Sequence, residues 1–136
     1  MNLLKYLKDP GYRFSLLMWL VAIHSFIAGV ALIVSSPELF EFFGYKLINE
    51  RFFNVQGGVF HLVMCVGYSM VALRPSKFEG LVILSISAKF IATFFLLIYS
   101  ICFDWIFVVF LSGAGDFFMG LAILYFYKKF RTGVKT

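Results

Sequence analysis

Four long apolar stretches constrain the fold of this chain more than any other feature of its sequence. They run over about 14–36, 52–73, 80–101 and 105–127. A transmembrane helix needs roughly 20 mostly apolar residues at about 1.5 Å of rise each, and every stretch meets that length. With 62% hydrophobic and 14% charged residues, the chain also has too little polar surface to cover a soluble domain. We therefore expect an all-α integral membrane protein.

The connections between these stretches are short, and no internal repeat or long linker divides the chain. Short connections make sequential helices antiparallel neighbours. The expected fold is a single domain, residues 1–136, built as a four-helix antiparallel bundle.

The first connection carries its own helix signal. Ser36-Pro37-Glu38 places a capping serine before a proline and an acidic residue in the first turn of a helix, and Gly44 is expected to end that helix. The segment between them is too apolar for open water and too short to span. It predicts a short interfacial helix, which lies in the outer headgroup region or folds over the mouth of the bundle.

The positive charge is distributed unevenly between the two sides of the predicted bundle. The side of the termini carries nine of the 12 Lys and Arg residues: Lys5, Lys8, Arg13, Arg74, Lys77, Lys128, Lys129, Arg131 and Lys135. The opposite side has Lys46 and Arg51 beside Glu38, Glu41, Glu50 and Asp104. The positive-inside rule predicts that both termini are cytoplasmic. The net charge of +5 is thus explained by topology and by lipid headgroups, not by nucleic acid.

One ionisable residue lies near the centre of each apolar stretch: His24, His61, Lys89 and Asp116. A charge at the bilayer centre costs roughly 2.5–3.5 kcal/mol on insertion scales, so such groups turn inward, pair or stay neutral. The pattern predicts a polar centre inside the bundle. Further polar residues at helical spacing are expected to join it, namely Asn54, Gln56, Ser85, Thr93 and Ser112.

Lys89 and Asp116 lie about half a span from the same turn on sequential antiparallel helices, which favours a buried ion pair. One interpretation is a structural clamp, in which two neutralised charges fix the helix register. The other is a proton or anion site, because buried ionisable groups shift their pKa readily.

The two histidines allow three interpretations. They can hydrogen-bond within the polar centre or to a serine of a neighbouring helix, or they can ligate a bis-His haem b, with Gly57 and Gly58 making room for the porphyrin. A metal site is the third, but the centre offers Asp116 alone as a further ligand. We therefore predict no metal ion.

Motifs of known enzyme classes are missing: the sequence has no CxxC, no HExxH, no phosphate-binding glycine loop and no nucleophile elbow. The depths of Cys65 and Cys102 also make a disulfide between them hard to close. The sequence therefore names no catalytic residue and does not favour an enzyme.

Several short motifs, taken in order, resemble the DoxX-like and related four-helix membrane proteins of bacteria. They are Ser36-Pro37-Glu38-Leu39-Phe40, then 52–60 (FFNVQGGVF), Lys89-Phe90 and Gly113-Ala114-Gly115-Asp116. The resemblance implies a four-helix fold and a bacterial inner membrane, and some DoxX-type members look like membrane partners of quinone-reducing enzymes.

These observations favour a binding or accessory subunit. Its polar centre is expected to hold a small amphipathic ligand, a quinone or a lipid, or the chain docks a larger membrane complex. A proton-coupled transporter that uses Asp116 and Lys89 is one alternative, and with only four helices it would need a homo-oligomer. A haem b electron carrier is the other.

Overall fold

The computed structural model describes residues 9–45 and 51–134. Within those ranges it contains no strand and five helices: α1 (Pro10–Val34), α2 (Pro37–Phe42), α3 (Phe52–Leu73), α4 (Glu79–Cys102) and α5 (Phe107–Val134). The four long helices are each long and apolar enough to cross a membrane, and α2 is the short helix of the first connection. The predicted all-α four-helix bundle is confirmed. The expectations that concern Lys5, Lys8, Lys46, Glu50 and Lys135 lie outside the described residues.

Capping sets the beginning of α1. The Asp9 carboxylate accepts hydrogen bonds from the backbone N–H groups of Gly11 and Tyr12, each at 3.2 Å, and Pro10 occupies the first turn, where its missing N–H costs nothing. The helix therefore begins at Pro10, ahead of the apolar stretch that starts near Phe14.

Gly44 ends the short helix. Its φ of +89° lies in the left-handed region that glycine adopts without steric cost. The Tyr45 N–H then reaches back to the Phe40 carbonyl at 3.0 Å, and the Gly44 N–H reaches the Glu41 carbonyl at 2.9 Å. These bonds satisfy carbonyl groups that a helix end leaves open.

The four long helices associate as two close pairs, α1 with α3 and α4 with α5, while α1–α5 and α3–α4 touch over less of their length. Glycines make both close pairs possible. A Cβ at Gly58 would lie 2.7 Å from the Gly29 carbonyl oxygen, and a Cβ at Gly113 would lie 3.1 Å from the Leu96 Cβ. Small residues at these crossings let the backbones approach.

Both chain ends meet at one end of the bundle, which we call the termini end. A Cβ at Gly133 would lie 3.3 Å from Pro10, and the rings of Phe14 and Phe130 stack at 5.6 Å. The opposite end, which carries α2 and residues 103–106, is the loop end.

The hydrophobic core fills the half of the bundle near the termini. Its buried members are Phe14, Met18, Val21, Ala22, Met64, Tyr68, Val71, Ala72, Val82, Ile123 and Phe130. Towards the loop end, Ile106 and Val109 are the large apolar side chains that are buried among the described residues. Side chains thus pack tightly at the termini end of the bundle and more loosely at the loop end.

Candidate functional site

Lys89 and Asp116 form a buried ion pair across α4 and α5. The Lys89 Nζ lies 2.5 Å from the Asp116 Oδ1, and the two residues are 3% and 8% exposed. A Cβ at Gly120 would lie 3.3 Å from the Lys89 Cβ, so this glycine lets the two helices approach beside the pair. The two opposite charges cancel at the centre of the bundle, as a membrane interior requires.

Neighbouring groups hold the lysine in place. The Lys89 Nζ lies 5.9 Å from the ring centroid of Tyr68, which places a second favourable partner beside the ammonium. The Thr93 hydroxyl contacts the carbonyls of Lys89 (2.8 Å) and Gly113 (3.3 Å). Thr93 therefore links α4 to α5 one turn from the ion pair.

His61 is fixed by Ser25, a residue that the sequence did not indicate. The Ser25 Oγ lies 3.0 Å from the His61 carbonyl oxygen and 3.2 Å from the His61 Nδ1. Ser25 is 1% exposed and belongs to the buried face of α1 with Met18, Val21, Ala22 and Gly29. The three- and four-residue spacing of these residues in the sequence could have indicated a buried face that includes Ser25. This face lies beside the one that carries His24.

A cavity of about 660 Å³, the histidine cavity, lies between α1 and α5 in the loop half of the bundle. His24, His61 and Asp116 line it at the end nearest the centre of the bundle, where His24 is exposed, His61 half-buried and Asp116 buried. We call these three residues its floor. The predicted small-residue face of α1, Ala28 and Ala31, forms part of one wall. Most of the remaining wall is apolar: Leu32, Leu39, Phe40, Phe43, Leu96, Val108, Val109, Leu111, Ala114, Phe118 and Met119.

A second cavity of about 710 Å³, the tryptophan cavity, lies between α3 and α4 beside Trp105. Leu32, Tyr45, Leu96 and Val109 line both cavities and separate them. The cavities occupy the two interfaces at which the long helices touch least. They therefore follow from the pairing of the helices, since each close pair leaves its contact with the other pair incomplete.

Leu39 and Phe40 of the short helix α2, and Phe43 directly after it, line the loop end of the histidine cavity. None of the residues of this helix is buried, so its two expected positions, in the outer headgroup region or over the mouth of the bundle, both stay predictions. The Tyr45 ring packs edge-on against Phe40 at 5.5 Å, and burial raises the pKa of the Tyr45 phenol above its ordinary value. The phenol is therefore protonated and neutral at pH 7.

Arg51 ties the loop end together. Its guanidinium donates to the carbonyls of Ile33 (2.9 Å) and Ser35 (3.2 Å) at the end of α1. These carbonyls have no partner within the helix, so a cation at this position is favourable. The sequence placed Arg51 among the charges of the side opposite the termini but did not indicate this contact.

The other predicted members of the polar centre are dispersed. Asn54 lines the tryptophan cavity, and Gln56 is exposed and lines neither cavity. Ser85 and Ser112 donate to carbonyls of their own helices, at 2.6 and 2.7 Å, although Ser112 also lines the histidine cavity. His24 lines that cavity without a hydrogen bond to any described residue.

Gly58 does not provide space for a porphyrin, which corrects the sequence interpretation. A Cβ there would lie 2.6 Å from the Ile33 Cγ1, so α1 already occupies the space beside it. Gly57 does line the tryptophan cavity. In the described part of the chain, no three His, Cys, Asp or Glu side chains are grouped to hold a metal ion, and Cys65 and Cys102 are both free.

The arrangement is suited to binding. It combines an apolar chamber with a floor of two imidazoles and a carboxylate whose charge is balanced by a lysine. Comparisons of the chain with protein-family models, with curated proteins and with solved structures find no match. What the protein does is therefore inferred from the residues of the chamber.

Proposed function

We propose that the chain is a small membrane-embedded binding protein, and that its histidine cavity holds an amphipathic molecule such as a quinone or a lipid. The observation that carries this proposal is the polarity of the chamber, in which a floor of His24, His61 and Asp116 lies at one end of a mostly apolar space. Its volume of about 660 Å³ falls within the roughly 300–1,000 Å³ of typical ligand pockets. A polar head would meet the floor, and an apolar tail would follow the walls.

The bilayer is the source of this ligand. Leu111 and Phe118 line the histidine cavity while 55% and 68% exposed, so the chamber opens on the apolar face between α1 and α5. A molecule dissolved in the membrane reaches the chamber there without crossing water.

Binding is favoured over transport because the chamber ends inside the bundle. Met18, Tyr68 and Ile123 are at most 2% exposed and fill the termini half below the ion pair. A transported molecule or proton would have to displace this core, whereas a bound ligand leaves it intact.

An accessory role belongs to the same proposal. The motifs that resemble the DoxX-like proteins support a bacterial inner-membrane subunit that serves a redox complex. Copurification from the native membrane, followed by identification of the associated chains, tests this part.

Native mass spectrometry after mild detergent extraction tests ligand binding. We expect a bound small molecule that is lost when Ala28→Trp fills the chamber, with occupancy reduced at least about tenfold, or about 1.4 kcal/mol. Ile91→Trp is the matched control, because Ile91 is 69% exposed and lines neither cavity. Repeated recovery of an empty wild-type chain would contradict the proposal, and a Soret band in the same sample would replace the amphipathic ligand by haem.

We also propose that both termini lie in the cytoplasm, on the basis of the asymmetric Lys and Arg distribution. Single cysteines at Glu41→Cys and Thr136→Cys, in a chain with Cys65 and Cys102 replaced by serine, report the two sides. A membrane-impermeant maleimide should label position 41 on intact cells and position 136 only after lysis. Labelling of position 136 on intact cells would reverse the orientation.

A further inference from the structure

The floor of the histidine cavity presents hydrogen-bond acceptors, and this property selects the chemistry of the ligand. We propose that the chamber recognises a neutral molecule that donates a hydrogen bond, such as a phenol or a hydroquinone, in preference to a quinone or an ether. This inference rests on the proposed function, since it specifies the head group of the ligand held in the same chamber.

The contact with Ser25 determines the tautomer of His61. The Ser25 hydroxyl has a single proton, and its oxygen lies 3.0 Å from the His61 carbonyl oxygen. Two oxygens at that distance repel unless a proton lies between them, so the hydroxyl donates to the carbonyl. The contact of 3.2 Å to Nδ1 must then be donated by the ring, because the serine has no second proton.

A neutral imidazole with its proton on Nδ1 carries a lone pair on Nε2. In the described part of the chain, the Ser100 Oγ is the only fully buried side-chain nitrogen or oxygen that has no hydrogen-bond partner. No described residue makes a hydrogen bond to the His61 Nε2, and this nitrogen is not among the fully buried atoms without a partner. It is therefore accessible, and His61 lines the histidine cavity. It is therefore available to accept a hydrogen bond from a ligand.

Asp116 supplies the second acceptor. Its Oδ1 is taken by Lys89, whereas its Oδ2 receives no hydrogen bond from a described residue. Oδ2 is not among the fully buried atoms without a hydrogen-bond partner, so it is accessible. Asp116 also lines the cavity. A carboxylate oxygen only accepts hydrogen bonds, so a ligand group at this point of the floor must also be a hydrogen-bond donor.

The balance of charge favours a neutral donor over a cation. Lys89 already neutralises Asp116 at 2.5 Å, so an ammonium ligand would bring an unbalanced charge into the membrane interior. A hydroxyl brings no charge. At the floor, a quinone carbonyl or an ether oxygen would instead face the Nε2 lone pair and the carboxylate. Of the three floor residues, only His24, whose tautomer no hydrogen bond fixes, could donate to it.

Three matched probes test the inference: an alkyl hydroquinone, its dimethyl ether and the corresponding benzoquinone, all with the same alkyl chain. Calorimetric titration of the purified chain under nitrogen, corrected for empty micelles, gives the three dissociation constants. We expect the hydroquinone to bind at least about tenfold more tightly than the other two probes.

Two variants locate the effect. His61→Phe keeps a ring and leaves the backbone carbonyl for Ser25, so hydroquinone affinity should fall towards that of the ether. Ser25→Ala frees the His61 tautomer, and because Ser25 is a positioning residue, it should lower the ratio between hydroquinone and quinone affinities. Ser100→Ala is the control, since its hydroxyl has no partner and lines neither cavity.

The outcomes separate the inference from the proposed function. Wild-type binding of the quinone or the ether as tight as that of the hydroquinone overturns the inference and leaves the chamber a binding site. A failure of all three probes to bind overturns the inference, and it overturns the proposed function as well only if native mass spectrometry also recovers the wild-type chain empty. If either variant fails to fold, the wild-type ratio still decides.

Discussion

Removing one partner of the Lys89–Asp116 pair should destabilise the bundle by about 3–5 kcal/mol, because the remaining charge is left buried without its counter-ion. Lys89→Met and Asp116→Asn are the two single substitutions. The loss should be smaller in a variant whose remaining group becomes neutral. Thermal or denaturant-induced unfolding of the purified chain in one detergent measures the difference.

The double substitution separates the two interpretations of the pair. Recovery of both stability and ligand binding in Lys89→Met/Asp116→Asn would make the pair a structural clamp. Recovery of stability with binding still lost would assign the pair to the floor of the histidine cavity. Thermal stability and binding equal to wild type in all three variants would contradict both interpretations.

A surface ion pair provides the control for these substitutions. The Arg131 guanidinium lies 3.2 Å from the Glu79 carboxylate, and both side chains are 46% exposed. Solvent screens such a pair and hydrates the charge that remains. Glu79→Gln should therefore change stability little, and a loss as large as that of Asp116→Asn would show that burial is not the cause.

The elements of the fold could be predicted because their signals are local. Length and hydropathy defined four spans, and Ser36, Pro37 and Gly44 marked the short helix between them. The beginning of α1 at Pro10 was missed because the residues of its first turn are too polar for a hydropathy criterion, although the capping pattern at Asp9 was readable. Helix ends depend on backbone hydrogen bonds, which hydropathy does not describe.

The candidate site could be predicted in part. Lys89 and Asp116 are placed symmetrically about one turn, so simple geometry brings them together, and their ion pair is present. Ser25 was missed because it lies one residue from His24, about 100° around the helix, and only the rotation of α1 decides which of the two faces α3. Such a rotation depends on contacts with other helices.

The two cavities could not be predicted from the sequence. They exist because α1 packs closely on α3 and α4 on α5, which leaves the other two interfaces open. The role of Gly58 illustrates the difficulty, since a small residue beside a histidine can make space for a ligand or for another backbone. The close contact of Gly58 with the Gly29 carbonyl shows that the space beside Gly58 is occupied by the backbone of α1.

The close contact of α1 with α3 predicts a large effect at Gly58. A Cβ there would lie 2.6 Å from the Ile33 Cγ1 and 2.7 Å from the Gly29 carbonyl oxygen. The side chain of Ile33 can rotate, but the carbonyl belongs to the backbone of α1, so the two helices must separate. Gly58→Ala should cost about 1–3 kcal/mol, as overpacking of a well-filled contact does.

Gly67→Ala is the matched control on the same helix, because a Cβ at Gly67 would meet nothing within 4 Å. Alanine is the better helix former by roughly 1 kcal/mol in water, so this variant should be at least as stable as wild type. Unfolding of both variants in the same detergent gives the comparison. Equal stability of Gly58→Ala and Gly67→Ala would mean that α1 and α3 do not cross at Gly29 and Gly58. The two open interfaces, and the cavities within them, would then lose their structural explanation.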